Sequence, residues 1–124
     1  MKKIGTFLIA SVILGSIAKA DTETVYTCTP DKPTPLVSQV ILVDGIGRTG
    51  TLTLVTVNAD GQKSEVSESA EYYDDMTYFG YFSEKLDTAI EFYDFEDTTS
   101  AILRFGDQLL HMSCLEHVRP VDPN

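Results

Sequence analysis

Basic residues are scarce in this chain. It carries 9 Lys and Arg against 19 Asp and Glu. Lys2, Lys3 and Lys19 fall before Asp21, the first acid, so the remainder sets 19 acids against 6 bases, a formal charge of about −13. Such a surface excludes nucleic acid and anionic lipid as partners, because both are held by clustered Lys and Arg. It favours solubility, and it favours a basic partner. Histidine and cysteine number only 2 each. That is too thin a supply of soft ligands for a zinc site, so no metal or other cofactor is expected. No amphipathic stretch of helical period has useful length, which excludes a helical bundle.

Residues Met1 to Ala20 are organised as an export signal. Lys2 and Lys3 give a positive n-region, Phe7 to Ile17 an apolar h-region, and Ala18-Lys19-Ala20 a small-x-small cleavage site. The alternative, an uncleaved anchor helix, is opposed by an apolar run that is short and interrupted by Gly and Ser. No cysteine follows the cleavage site to take a lipid. The mature chain is therefore expected in the periplasm or outside the cell, free of the membrane.

Two cysteines in an exported chain predict one disulfide, Cys28–Cys114, with unpaired thiols or an intermolecular bond as the alternatives. Its Cα atoms are expected about 4.4–6.8 Å apart. A loop of this length contributes about 4–5 kcal/mol by the chain-entropy argument.

From Asp21 the pattern is that of short strands. Thr22 to Thr29 alternates, and Pro30, Pro33 and Pro35 then break regular pairing. Leu36 to Val43 and Thr51 to Val57 are β-branched and apolar. Between them, Gly45-Ile46-Gly47-Arg48-Thr49-Gly50 matches G-x-G-x-x-G. A dinucleotide site needs a helix at its end, and a strand-like run follows instead, so this is a hairpin connection. Asn58-Ala59-Asp60-Gly61 resembles the middle of a calcium loop, but Thr56 and Ser67 occupy the first and twelfth positions, so it is a turn leading into Gln62 to Val66. Ser64 to Asp75 is polar and acidic and is expected to loop. Thr77 to Ser83 and Ala89 to Asp94 are strands around Glu84 to Asp87, a turn or a single helical turn. A last hairpin turns at Gly106-Asp107 and closes on Cys114. Residues 21–114 form one domain, and Leu115 to Asn124, with Pro120 and Pro123, is expected to be a flexible tail. The fold class is all-β, about eight short strands as a sandwich or small antiparallel barrel. A disulfide joining first and last strands favours the barrel.

Catalytic chemistry is sparse. Ser113 and His111 are at strand spacing with no carboxylate nearby in sequence, and Asp74, Asp75, Asp94, Glu96 and Asp97 show no recurring ligand spacing. No enzyme is expected. The richest stretch is Tyr72 to Phe95, which holds nine of the eleven aromatics that follow Ala20. There aromatics interleave with carboxylates and one cation, Lys85, a combination that supplies contact area and steering towards a cation. In Tyr78-Phe79-Gly80-Tyr81-Phe82 both faces are aromatic, so one enters the core and the other is covered or left as a patch.

Tyr26-Thr27-Cys28, Ser69-Ala70-Glu71-Tyr72-Tyr73 and Phe95-Glu96-Asp97-Thr98-Thr99-Ser100-Ala101-Ile102-Leu103, followed by Cys114, resemble the motifs of the periplasmic and membrane-bound inhibitors of C-type lysozyme. The resemblance implies an eight-stranded antiparallel barrel and a lysozyme as partner. Ala70 replaces a glycine of the family motif, Phe95 its tryptophan, and Asp97 the lysine that reaches the enzyme's catalytic groups. With that charge reversed, the resemblance implies weak or absent inhibition. The expected function is non-enzymatic binding at the cell envelope, with Ser69, Tyr72, Tyr73, Tyr78, Tyr81 and Asp97 as binding residues. The alternative is a small-ligand carrier with Tyr72, Tyr73, Tyr78, Tyr81 and Tyr93 at the barrel mouth. An unrecognised hydrolase comes third.

Overall fold

A computed structural model of the chain describes residues 22–45 and 49–121. The expected export signal lies outside the described residues, as do positions 46–48 of the glycine-rich connection and the last three residues. Eight strands follow one another: β1 (Thr22–Pro30), β2 (Gln39–Asp44), β3 (Thr49–Val57), β4 (Lys63–Asp74), β5 (Phe79–Ser83), β6 (Thr88–Phe92), β7 (Ser100–Phe105) and β8 (Gln108–Pro120). Each pairs antiparallel with the next, and β8 pairs with β1, which closes the barrel. Among the described residues there is no helix.

The alternation that marks these strands also fills the barrel. Tyr26, Cys28, Val40, Leu42, Leu52, Leu54, Ala70, Phe79, Tyr81, Ile90, Phe92, Ala101, Leu103, Met112 and Cys114 all point inward into one core. Val37 joins them from the proline loop. Strand β2 accordingly starts at Gln39, three residues later than the apolar run implied. Ser38 instead anchors the loop, donating its N–H and its hydroxyl to the Val55 carbonyl at 2.8 and 3.0 Å.

Cys28 and Cys114 are bonded, and they are direct register partners on β1 and β8. The Asp31 N–H donates to the His111 carbonyl across this pair of strands. By alternation, Cys28 and Cys114 then form a pair without ladder bonds, where the strands come closest. That is why their Cα separation, 4.0 Å, falls short of the expected range.

Both turns read from glycine are present. Gly61 and Gly106 have φ of 82° and 61°, which side-chain-bearing residues resist. Asn58 Oδ1 accepts the N–H groups of Asp60 and Gln62, both at 2.9 Å, so the calcium-like segment is a self-bonded turn.

Two expectations are corrected. Ser64 to Asp75 does not loop; Lys63–Asp74 is the strand β4. Only Ala70 and Tyr72 of its inward-facing side reach the core, so no apolar alternation advertises it. Leu115 to Pro120 is not a tail either. It continues β8 in register with Thr27 to Thr22, and Arg119 donates to Glu23 at 2.6 Å. These side chains are exposed on both faces, so backbone pairing, not burial, holds the segment.

Candidate functional site

The aromatic stretch is divided by the wall of the barrel. In β4 and β5, Tyr72, Phe79 and Tyr81 face inward, and Tyr73, Gly80 and Phe82 face outward. The expected ring of tyrosines around one mouth is therefore not formed: Tyr72 and Tyr81 belong to the interior, and Tyr73, Tyr78 and Tyr93 cluster outside. Tyr78 contacts Tyr73 edge-on at 6.1 Å and Tyr93 at 5.2 Å between ring centroids.

On the outside, Tyr73, Gly80 and Glu91 stand in one row across β4, β5 and β6. Glu91 is only 5% exposed. Its Oε2 accepts the Tyr73 hydroxyl at 2.6 Å, and its Oε1 accepts the Tyr93 hydroxyl at 2.5 Å and Arg104 Nε at 2.9 Å. Burial acts to raise the Glu91 pKa. The hydrogen bonds from Tyr73, Tyr93 and Arg104, with the charge of Arg104, act more strongly in sum and hold the carboxyl below its ordinary value. A carboxylate so fully engaged ties strands together and is no free general base. Sequence reasoning missed both Glu91 and Arg104. The available signal was a single acid among the apolar residues of Ala89 to Phe92.

On the inside, Tyr81 lies over Gly50 and donates its hydroxyl to Asp44. Tyr26 lies nearby, and burial first, then the charges of Glu116 and Asp44, push its phenol up to about 12. Tyr72 meets Phe79 and Tyr81 at 6.1 and 5.5 Å, and Phe92 stacks between Phe79 and Tyr26 at 5.1 and 4.8 Å.

These inner rings lead to an acidic rim. The connections of residues 75–78 and 93–99 emerge at the same end of the barrel, because each follows a strand running towards that end. Ring contacts between Tyr78 and Tyr93, and between Phe79 and Phe95 at 5.3 Å, hold them side by side. Met76, Tyr93 and Phe95 are exposed there among Asp75, Asp94, Glu96 and Asp97. Neither connection contains Lys or Arg. Beside them a cleft of about 350 Å³ is lined by Tyr93, Asp94, Asp97, Ser100, Ile102 and His111.

Asp97 has a local task as well. Its Oδ1 accepts the Thr99 hydroxyl at 2.6 Å and the Thr99 N–H at 3.1 Å, which fixes the approach to β7. Those bonds hold its pKa below the ordinary value. Ser69 lies elsewhere, in a separate groove of about 210 Å³ with Glu71, Phe82, Glu84 and Lys85. The two residues singled out by the motifs thus occupy different surfaces.

Ser113 does meet a carboxylate, though one distant in sequence: its hydroxyl donates to Asp31 at 2.5 Å. The acid engages the serine directly, so this is not the serine–histidine–acid order of a charge-supported nucleophile. Among the described residues no three His, Cys, Asp or Glu side chains are grouped to hold a metal ion. The chain matches no family model, and no curated protein or solved structure is found to be similar to it.

Proposed function

We propose that this chain is an exported, non-enzymatic binding protein of the cell envelope, and that its acidic, aromatic end receives a basic protein such as a lysozyme. One observation carries the reading. Exposed Met76, Tyr93 and Phe95 share that end with Asp75, Asp94, Glu96 and Asp97, and no cation interrupts the two connections that present them. Apolar and aromatic groups supply desolvated contact area, and the carboxylates steer a cationic partner and set which partners are rejected. The formal charge of about −13 after Ala20 extends that attraction over the whole surface. As an inhibitor of C-type lysozyme the chain is weak or inactive, since Asp97 brings like charge to the enzyme's catalytic carboxylates.

The test is titration calorimetry of the chain with a C-type lysozyme at about 20 and about 150 mM salt, where screening lengths differ severalfold. Binding that weakens on adding salt and is lost in Asp75→Asn/Asp94→Asn/Glu96→Gln is expected. Binding unaffected by the triple variant would overturn the assignment of this end.

A further inference from the structure

β4 is 12 residues long, but its two neighbours use different parts of it. β3 pairs with Lys63 to Glu71, whereas β5 pairs only with Glu71 to Asp74. From Lys63 to Ala70, therefore, one edge has no partner strand among the described residues. The cause lies in β5, which ends at Ser83 and enters a tight turn, with the Asp87 N–H donating to the Glu84 carbonyl at 3.1 Å.

The direction of the unused groups follows from the ladder. The Asn58 N–H donates to the Gln62 carbonyl, so even-numbered residues of β4 exchange backbone bonds with β3. The odd ones, Glu65, Ser67 and Ser69, turn N–H and C=O away from it. The Asp75 N–H donates to the Tyr78 carbonyl, which places the next odd residues, Glu71 and Tyr73, in bonds with β5. The row of groups that β5 uses thus continues past its end with no backbone partner among the described residues.

The side chains flanking this edge have a definite character. Val66 is 49% exposed, although it stands opposite core residue Leu54 on the inward-facing side. No strand of the described residues lies beside it on that edge. On the outward-facing side stand Glu65, Ser67, Ser69 and Glu71, and the groove at Ser69 is walled by exposed Phe82 and by Glu84. Lys85 answers Glu68 at 3.9 Å, but among the described residues Glu65, Glu71 and Glu84 have no ion-pair partner.

We infer that the free edge of β4 takes an extended polypeptide segment by strand addition, one that alternates apolar residues with lysine or arginine. Its backbone bonds the odd residues of β4, its apolar face covers Val66, and its cations meet Glu65 and Glu71. A cationic stem lying on Phe82 reaches between Glu71 and Glu84. A second copy is a poor occupant, because Glu65, Glu68 and Glu71 of each chain would be brought together across the new ladder. This surface is distinct from the acidic end described above, and its test does not depend on it.

The probe is a blocked seven-residue peptide of alternating Lys and Val, with its Glu–Val counterpart as control. At about ten times its Kd, the Lys–Val peptide should slow amide hydrogen exchange about tenfold at Glu65, Ser67 and Ser69. Val66 and Glu68, already bonded to β3, should change less. Ser69→Pro removes one edge N–H without touching the β3 ladder and should weaken binding at least tenfold. Glu65→Lys/Glu71→Lys keeps the backbone and should do the same. Three results would overturn the inference. These are no slowing at the three amides, equal slowing by the Glu–Val peptide, or protection without peptide that grows with protein concentration.

Discussion

Tyr73 donates its hydroxyl to Glu91 at 2.6 Å although a whole strand, β5, lies between them. Gly80 makes the crossing possible, for it is the residue of β5 directly beneath the ring. The arrangement recurs inside the barrel, where Tyr81 crosses Gly50 to reach Asp44. In both places a strand glycine leaves a track for a tyrosine, and the ring covers the backbone that glycine would leave open. The last glycine of the G-x-G-x-x-G segment is thus accounted for by a close approach of protein to protein.

Gly80→Ala should destabilise the barrel by about 1–3 kcal/mol, the usual range for overpacking. The new Cβ would lie 2.6 Å from the Ile90 carbonyl oxygen and 3.0 Å from the Tyr73 ring. The ring can swing away, but the carbonyl belongs to the paired strand β6 and cannot. Urea unfolding reads the loss directly. An unchanged midpoint would mean that β5 and β6 sit farther apart than described.

Glu91→Gln should cost about 1–3 kcal/mol at pH 7, since three donors lose a charged acceptor in a buried position. The folded carboxyl titrates below its ordinary value, so its contribution is complete above the unfolded pKa and is lost as pH falls through the folded one. The difference between parent and variant should therefore shrink on acidification below about pH 4.3, the ordinary glutamate value. Unfolding midpoints at pH 7 and pH 3 give both numbers. A gap that persists at pH 3 would show that shape, not charge, is what the site requires.

How legible these features were in the sequence depended on whether side chains or backbone held them. β7 and the hairpin at Gly106 could be read because alternate residues are buried and the turn needs positive φ, and β3 because its apolar, β-branched run is buried from Leu52 to Val55. β4 and the end of β8 could not. Lys63 to Ser69 and Leu115 to Pro120 are held mainly by pairing on one edge, and pairing leaves no compositional trace when both faces are wet. Tyr72, Tyr73, Tyr78, Tyr81 and Tyr93 could be read as one aromatic stretch, but which of them enter the barrel follows from the register. Glu91 meets Arg104 through three-dimensional contact alone, 13 residues apart in the chain.

Removing the disulfide should cost up to about 4–5 kcal/mol, given a separation of 86 residues between its ends. Cys28 and Cys114 sit on the two strands whose pairing closes the barrel, so the covalent bond and the closing ladder support the same seam. The Cys28→Ala/Cys114→Ala chain should unfold at markedly lower urea and show faster amide exchange along β1 and β8 than along β3. Free thiols in the native, oxidised chain, detected by labelling and intact mass, would contradict the bond itself.

Inhibition of C-type lysozyme should be weak or absent in the parent, stronger in Asp97→Asn and stronger again in Asp97→Lys. Lysozyme cleaves its substrate between two carboxylates, so an acid presented there meets like charge in a narrow cleft. Asparagine at this position keeps the oxygen that accepts the Thr99 N–H and hydroxyl, so that variant removes charge while preserving the turn. Lysine cannot cap the turn, and comparing the two substitutions separates the effect of charge from that of loop shape. The measurement is lysis of cell walls with each chain titrated at low and physiological salt, the latter screening attraction beyond about 8 Å. Potent, salt-resistant inhibition by the parent would place the inhibitory surface elsewhere. The groove where Ser69 and Lys85 lie together would then be the first candidate, because it alone joins the motif serine to a cation.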